Sequence, residues 1–386
     1  MIVERSPELT KLCSDLRGAS VVYLDTEFVG EGRYYPEVGA IQIATDERAA
    51  LIDPLAVGDL TPLFDVLLAH GIEKVFHAGG QDLAIFFAMM GRPVAPVFDV
   101  QIAAALLGYE EQISLANLVH RVTRQSLRKS HAFTDWLRRP LTDKQVEYAL
   151  EDVRCLAPVH DHLVQELSAR GRLPWAREEF SGLERPARFA PADPRGMFRQ
   201  MRGVERLTGE ELSRLREIVA WREDTARELN IPTGRICMDA VLMELARRPR
   251  ETVEALSQVR GLRWEQARRF GRGMVEALSR GADMPPLGLK KPTALPQEME
   301  PTVDFLVLCL RSLCAEKQIS PGILANRADL TAVVLYGEKA RVPLLRGWRR
   351  KAVGEALLAT LQGRATARIA PDTKRVHLDW KEDARE

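Results

Sequence analysis

The hydrophobic pattern of this chain changes period once along its length, and that change limits the folds open to it. Over the first 100 residues, short runs rich in Val, Ile, Leu and aromatics alternate with stretches of helical spacing. Val21–Glu27, Gly39–Thr45, Ala49–Asp53 and Glu73–His77 read as strands; Leu60–Ala69 and Asp82–Met90 read as helices stopped by Gly71 and Gly91. Several strands ahead of the first helix argue for a mixed sheet with an antiparallel meander, not a plain doubly wound one. From about residue 100 onward the spacing is almost wholly helical.

Two segments interrupt the helical part. Gly182–Arg206 holds Pro186, Pro191 and Pro194 among many arginines, and Gly281–Pro301 holds Pro285, Pro286, Pro292, Pro296 and Pro301. Proline removes a helical donor and clashes with the preceding turn, so both segments read as linkers. They leave three blocks, 1–180, 207–281 and 300–363, plus a polar tail; at 386 residues two or three domains are expected. The last two blocks resemble one another. Arg227-Glu228-Leu229-Asn230-Ile231-Pro232-Thr233-Gly234 placed over Ala315-Glu316-Lys317-Gln318-Ile319-Ser320-Pro321-Gly322 aligns Glu, Ile and Gly, and without a gap also Ala240 with Ala328 and Leu242 with Leu330. Each copy reads as helix, Pro-containing turn, helix.

The near-neutral net charge of +1 conceals an asymmetry. Residues 1–185 carry 19 Lys and Arg against 27 Asp and Glu, a balance of −8; residues 186–386 carry 36 against 27, a balance of +9. An acidic front suits cations and a basic rear suits a polyanion, although solvated surface charge would give the same count. No apolar run reaches membrane-spanning length, Val303–Leu310 being far too short, and the first residues lack the plan of a secretory signal. The five scattered cysteines fit a reducing cytoplasm better than a disulfide framework.

Three short stretches hold the candidate chemistry. In Val21-Val22-Tyr23-Leu24-Asp25-Thr26-Glu27-Phe28, Asp25 and Glu27 are two apart and share one face of a strand. Two carboxylates side by side repel unless a cation such as Mg²⁺ lies between them; the alternative is that the strand ends and both are solvated. In His77-Ala78-Gly79-Gly80-Gln81-Asp82, Asp82 opens a helix, where the dipole alone would favour an acid. In Thr142-Asp143-Lys144-Gln145-Val146-Glu147-Tyr148-Ala149-Leu150-Glu151-Asp152, Thr142 and Gln145 form a capping box. Tyr148 and Asp152 share a face one turn apart, and Glu151 points about 100° away from Asp152.

Taken together and in this order, Asp-x-Glu, Asp and Tyr-x-x-x-Asp resemble the DEDD exonuclease superfamily, Tyr subclass, over about residues 15–165. His77-Ala78-Gly79-Gly80-Gln81-Asp82-Leu83 and Asp135-Trp136-Leu137-Arg138-Arg139-Pro140-Leu141 are similar to the bacterial ribonuclease D family. Arg227–Ile236 and Arg260-Gly261-Leu262 are similar to the helical HRDC domains that this family shares with RecQ-type helicases, and Cys314–Leu361 is a more divergent copy. The resemblance implies an α/β fold: a ribonuclease H-like mixed-sheet exonuclease domain (1–180) followed by two all-α HRDC-type domains (207–281 and 300–363).

It also implies that Asp25, Glu27, Asp82 and Asp152 hold two divalent ions, Mg²⁺ or Mn²⁺, while Tyr148 orients the attacking water. The expected activity is 3′→5′ exoribonuclease hydrolysis releasing nucleoside 5′-monophosphates from transfer-RNA precursors and other small structured RNAs, by a cytoplasmic monomer. Substrate contacts are expected from Thr26, Phe28, Gln42, His77 and Trp136, with the basic stretch Arg128–Arg139 beside them. Phe28 and Trp136 could equally be core aromatics, and Gln42 could be satisfied by backbone. A DNA exonuclease, or a non-catalytic RNA-binding protein that kept the fold, are the competing readings. All five catalytic residues are present and no helicase phosphate-binding motif is found, which favours the ribonuclease.

Overall fold

The computed structural model describes residues 1–127, 134–289, 293–372 and 374–380, the last without its Trp380 side chain. The described chain forms two compact units. The first comprises Met1–Glu27, Val38–Phe189 and Ala294–Glu386; the second comprises Phe28–Glu37 and Ala190–Thr293.

The first unit is built on a six-stranded sheet: β1 (Ile2–Val3), β2 (Val21–Val29), β3 (Glu37–Ala44), β4 (Ala49–Ile52), β5 (Glu73–Phe76) and β6 (Val97–Asp99), in the order β1-β4-β3-β2-β5-β6. β4 runs antiparallel to β3, whereas β1 is parallel to β4, and β5 is parallel to both β2 and β6. The mixed sheet expected from the sequence is therefore present. One premise for it is not, because helix α1 (Ser6–Leu16) precedes β2. Its buried Leu9, Leu12, Cys13 and Leu16 follow the i, i+3, i+4, i+7 rule, and Pro7 sits in the first turn, where its missing N–H costs nothing.

The helices that follow are α2 (Thr61–Leu68), α3 (Gly80–Met90), α4 (Val100–Leu106), α5 (Leu115–Thr123), α6 (Asp143–Arg154), α7 (Leu156–Ala169) and α8 (Leu173–Leu183). Gly91 closes α3 in the left-handed region at φ 68, as its sequence position suggested; Gly71 lies beyond the end of α2 and is not its cap. The capping box of α6 is fully made, with Thr142 and Gln145 each bonding the other's backbone N–H. The core gathers Leu24, Ile41, Ile43, Leu51, Phe76 and Phe86, all essentially inaccessible.

The segment Gly182–Arg206 is more ordered than a linker. Gly182 lies within α8, short turns run over Pro186–Phe189 and Pro194–Met197, and Phe198 is 1% exposed. Phe198 joins the core of the second unit, which consists mainly of α9 (Gly209–Glu228), α10 (Thr233–Ile236), α11 (Asp239–Arg247), α12 (Val253–Leu256) and α13 (Trp264–Ala282).

The C-terminal part of the first unit holds α14 (Glu300–Lys317), α15 (Pro321–Leu324), α16 (Arg327–Tyr336) and α17 (Glu355–Leu361). The expected polar tail forms a hairpin of β7 (Ala365–Ile369) and β8 (Val376–Trp380). The repeat read in the sequence holds in the backbone at a constant offset of 88 positions: α10 and α15 coincide in length and place. Asn230 and Gln318 both adopt the left-handed region, at φ 49 and 51. The same pair of turn-closing bonds recurs, Ile231 N–H to Ala226 and Asn230 N–H to Arg227, then Ile319 N–H to Cys314 and Gln318 N–H to Ala315. Among the described residues, no helix is long and apolar enough to cross a membrane, and all five cysteines are free.

Candidate metal centre

β2 places Asp25 and Glu27 on one face, and α6 brings Asp152 to them: one carboxylate oxygen from each lies within 4.8 Å of those of the other two. All three side chains are only half-exposed. Burial pushes Asp25 well above the usual carboxylate range, and the charges of Asp82, Asp152 and Glu27 push it further. Burial, then Asp152 and Asp82, raise Glu27 to about 8. Asp152 rises to about 6, mainly through burial, against a hydrogen bond from Tyr148 that favours its ionised form. Such a group cannot be fully ionised at neutral pH unless a cation offsets the repulsion. The donors are all carboxylate oxygens, which fits hard divalent ions such as Mg²⁺ or Mn²⁺ and disfavours thiolate- or imidazole-seeking metals.

Asp82 is not one of that trio, although its charge acts on Asp25. It occupies the first turn of α3, is 7% exposed and accepts a hydrogen bond from the Thr26 hydroxyl. Burial raises its pKa, and the Thr26 bond counters this. Thr26, between Asp25 and Glu27 on the opposite face of β2, is itself 5% exposed; in this structure it holds Asp82. Glu151 is half-buried and is not a member of the trio.

Tyr148, one turn before Asp152, donates its hydroxyl to that carboxylate. Burial first, then Asp152 and Glu27, raise the phenol far above its ordinary value, so it remains protonated. Its ring centroid is 6.2 Å from that of Trp136, which is 1% exposed with no hydrogen-bond partner for Nε1 among the described residues. Gly39 explains the fit: a Cβ there would sit 2.4 Å from the Trp136 carbonyl oxygen. Gln42 on β3 is wholly buried, and neither amide atom has a partner among the described residues. His77 is half-buried, and burial lowers it to about 4, leaving a neutral imidazole at pH 7. Phe28 is half-buried near the end of β2. Of the basic stretch Arg128–Arg139, residues 128–133 lie outside the described residues.

Two supports of the site went unread in the sequence. Asp99 accepts from the N–H groups of Ala78 and Gly79 at 3.3 and 2.9 Å and also caps α4, tying the turn that launches α3 to the end of β6. Arg139 forms a two-pronged ion pair with Asp53, which is 1% exposed, and donates to the carbonyls of Gly39 and Trp136 at 2.6 and 2.8 Å. Burial alone would raise Asp53, but the Arg139 bonds and charge hold it below its ordinary value. Asp53-Pro54 and Asp99 at a strand-to-helix junction are N-cap signals that could have found both.

The comparisons with known proteins agree with this geometry. A family model described as 3′-5′ exonuclease matches residues 1–168, and the HRDC domain model matches residues 211–278. Ribonuclease D of Zymomonas mobilis is 36% identical over 376 residues, covering 94% of each chain. Ribonuclease D of Gluconacetobacter diazotrophicus is also 36% identical, covering 94% of this chain and 93% of the relative. Among solved structures, Escherichia coli RNase D, described as an exoribonuclease involved in structured RNA processing, superposes with a TM-score of 0.84 at 30% identity, covering 94% of this chain and 98% of that one.

Proposed function

Because the chain belongs to the ribonuclease D family, we propose that it trims the 3′ ends of transfer-RNA precursors and other small structured RNAs by two-metal-ion hydrolysis, releasing nucleoside 5′-monophosphates. At the coarser level it is a metal-dependent 3′→5′ exoribonuclease, a hydrolase with an exonuclease domain and a helical HRDC region. The observation that carries the finer reading is the trio Asp25, Glu27 and Asp152 with Tyr148 bonded beside it.

Asp25, Glu27 and Asp152, with Asp82 beside Asp25, would hold the ions; when bound, these polarise the scissile phosphate and lower the pKa of a water. The chain's own groups do the rest. Thr26 fixes the Asp82 carboxylate, so that its orientation is set before any ligand arrives. Tyr148 keeps its proton and can orient a water through the hydroxyl while acting as no base. His77, neutral, can donate to or accept from a nucleotide without adding charge. Phe28, Gln42 and Trp136 remain our proposed substrate contacts. The burial of Gln42 and Trp136 limits them to shaping the floor beneath the terminal nucleotide. We place residues 300–363 as a second HRDC-like domain, supported by the 88-position correspondence, and the protein in the cytoplasm as a monomer acting on RNA.

The test is full-length protein with matched RNA and DNA oligomers bearing extended 3′ ends, in Mg²⁺, in Mn²⁺ and in chelator. Expected is stepwise shortening of RNA from its 3′ end with mononucleotide 5′-phosphates, abolished by chelator. Preference for DNA would replace the substrate, and binding without shortening would make the chain a non-catalytic RNA-binding protein.

A further inference from the structure

The segment Phe28–Glu37 joins β2 to β3, yet it belongs to the second unit. Its hold there is specific. The Tyr34 hydroxyl donates to Glu223, whose side chain is 4% exposed, and accepts from Arg227 Nε at 3.1 Å. The backbone N–H groups of Tyr34 and Tyr35 both donate to Asn230 Oδ1, at 3.1 and 2.8 Å. The Arg227 guanidinium lies 5.8 Å from the Tyr34 ring centroid.

Asn230 is the left-handed residue that ends α9, so its exposed amide does a second task besides closing the helix. The other copy of this turn also grips a distant segment. Gln318 accepts from Arg172 at its carbonyl (2.9 Å) and from Arg170 at its side chain (3.0 Å), while Ser320 N–H donates to Ala105 at 2.8 Å. Gripping another part of the chain is thus what this turn does in both copies.

The gripped loop matters because of where β2 is otherwise held. β3 flanks β2 on one side; on the other, the ladder with β5 covers Val21–Tyr23, so on that side Asp25 and Glu27 lie beyond the ladder, toward the loop. Glu27 is seven positions before Tyr34. We propose that Tyr34 and Asn230 are positioning residues for the nuclease reaction: by fixing the loop after β2 they set the placement of Glu27. This inference rests on the proposed exoribonuclease function.

Asn230→Gly separates the two tasks of the residue, since glycine keeps the left-handed turn and removes the acceptor. Asn230→Asp restores an acceptor oxygen. Hydrogen exchange of the peptide around Tyr34 and Tyr35 reports the grip directly, independent of activity; kcat and KM on a short single-stranded RNA report its consequence. Expected for Asn230→Gly are faster exchange of those amides and a kcat lowered about tenfold or more with KM unchanged, as for a reacting group misplaced from a distance. Asn230→Asp should restore both, and Tyr34→Phe should lower kcat in the same way. Faster exchange with wild-type kcat, unchanged exchange, or an equal loss in Asn230→Asp would each overturn the inference while leaving an active nuclease in hand. A wild-type chain that shortens no RNA would instead sink the functional reading on which it rests.

Discussion

Glu27 and Asp152 make the metal-free protein work against itself as pH rises. Folded, Glu27 keeps its proton to about pH 8; unfolded, it would release it near its ordinary value of 4.5. Between those limits the folded state binds more protons, so this group's contribution to stability falls as pH increases. Asp152→Asn removes one of the charges opposing Glu27. In chelator we therefore expect the variant to gain melting temperature relative to wild type at pH 8 compared with pH 5, while losing at least about a hundredfold in turnover when metal is supplied. A gain that shrinks with rising pH would show that the carboxylates do not repel as described. Tyr148→Phe tests the neighbouring bond. Its hydroxyl favours the ionised form of Asp152, so its loss should move the acidic limb of the pH–rate profile to higher pH and lower kcat, with metal affinity nearly unchanged. Weaker Mn²⁺ binding at normal saturated turnover would contradict that assignment. Chain order and spacing were enough to single out these acids in the sequence as candidate ligands. They could not disclose that Asp82 leans on Thr26, since that bond spans 56 positions and depends on how α3 meets β2.

At the scale of elements, what was legible depended on how local the determining contacts are. The capping box of α6 and the left-handed stop of α3 are written within a few residues and were read correctly. Helix α1 was missed although its apolar spacing is regular, because the strand before it is only two residues long and gives no boundary. β6, with three residues, offers no periodicity to detect; β7 is largely exposed and the described side chains of β8 are mostly half-buried, so burial imposed little alternation on them. The junction before α3 yields an element-scale prediction. A Cβ on Gly79 would come within 2.5 Å of the Phe76 Cβ, and the turn is already pinned by Asp99. Gly79→Ala should cost about 1–3 kcal/mol of stability and, by shifting the start of α3 and with it Asp82, cut turnover at saturating metal. Unchanged stability in a urea titration would mean that the turn has slack that the close contact denies.

For the whole molecule, the sequence suggested three successive blocks, and the charge balance of −8 and +9 suggested a catalytic front with a basic rear. By contacts, the described residues from 294 onward group with the catalytic unit. Glu179 on α8 accepts from Trp348 Nε1 and takes both prongs of Arg349, and Trp175 stacks on Trp348 at 5.0 Å. Arg172 donates to the carbonyls of Leu106 and Gln318, at 2.7 and 2.9 Å. No local pattern could announce these pairs, since Arg172 and Leu106 are 66 positions apart and the other partners about 145 to 175. Ending the chain after Thr293 leaves Glu179 without its Arg349 partner and Trp175 without the stacked Trp348. We expect the melting temperature of the first unit to drop by roughly 10 °C, measured by differential scanning calorimetry against the full chain. An unshifted transition would reduce the C-terminal helices to an appendage.

The divided first unit also bears on how the protein is made. A ribosome delivers the candidate metal-binding acids early, with Asp152 emerging long before Arg349 and Gln318. Most of the second unit, Ala190–Thr293, lies between them in the chain and can fold with the earlier Phe28–Glu37 while the catalytic unit is still missing its last segment. Closing that long excursion delays completion of the catalytic unit until the segment from Ala294 onward has been made. A nuclease assembled in this order acquires its finished catalytic unit only after its helical insert has been synthesised.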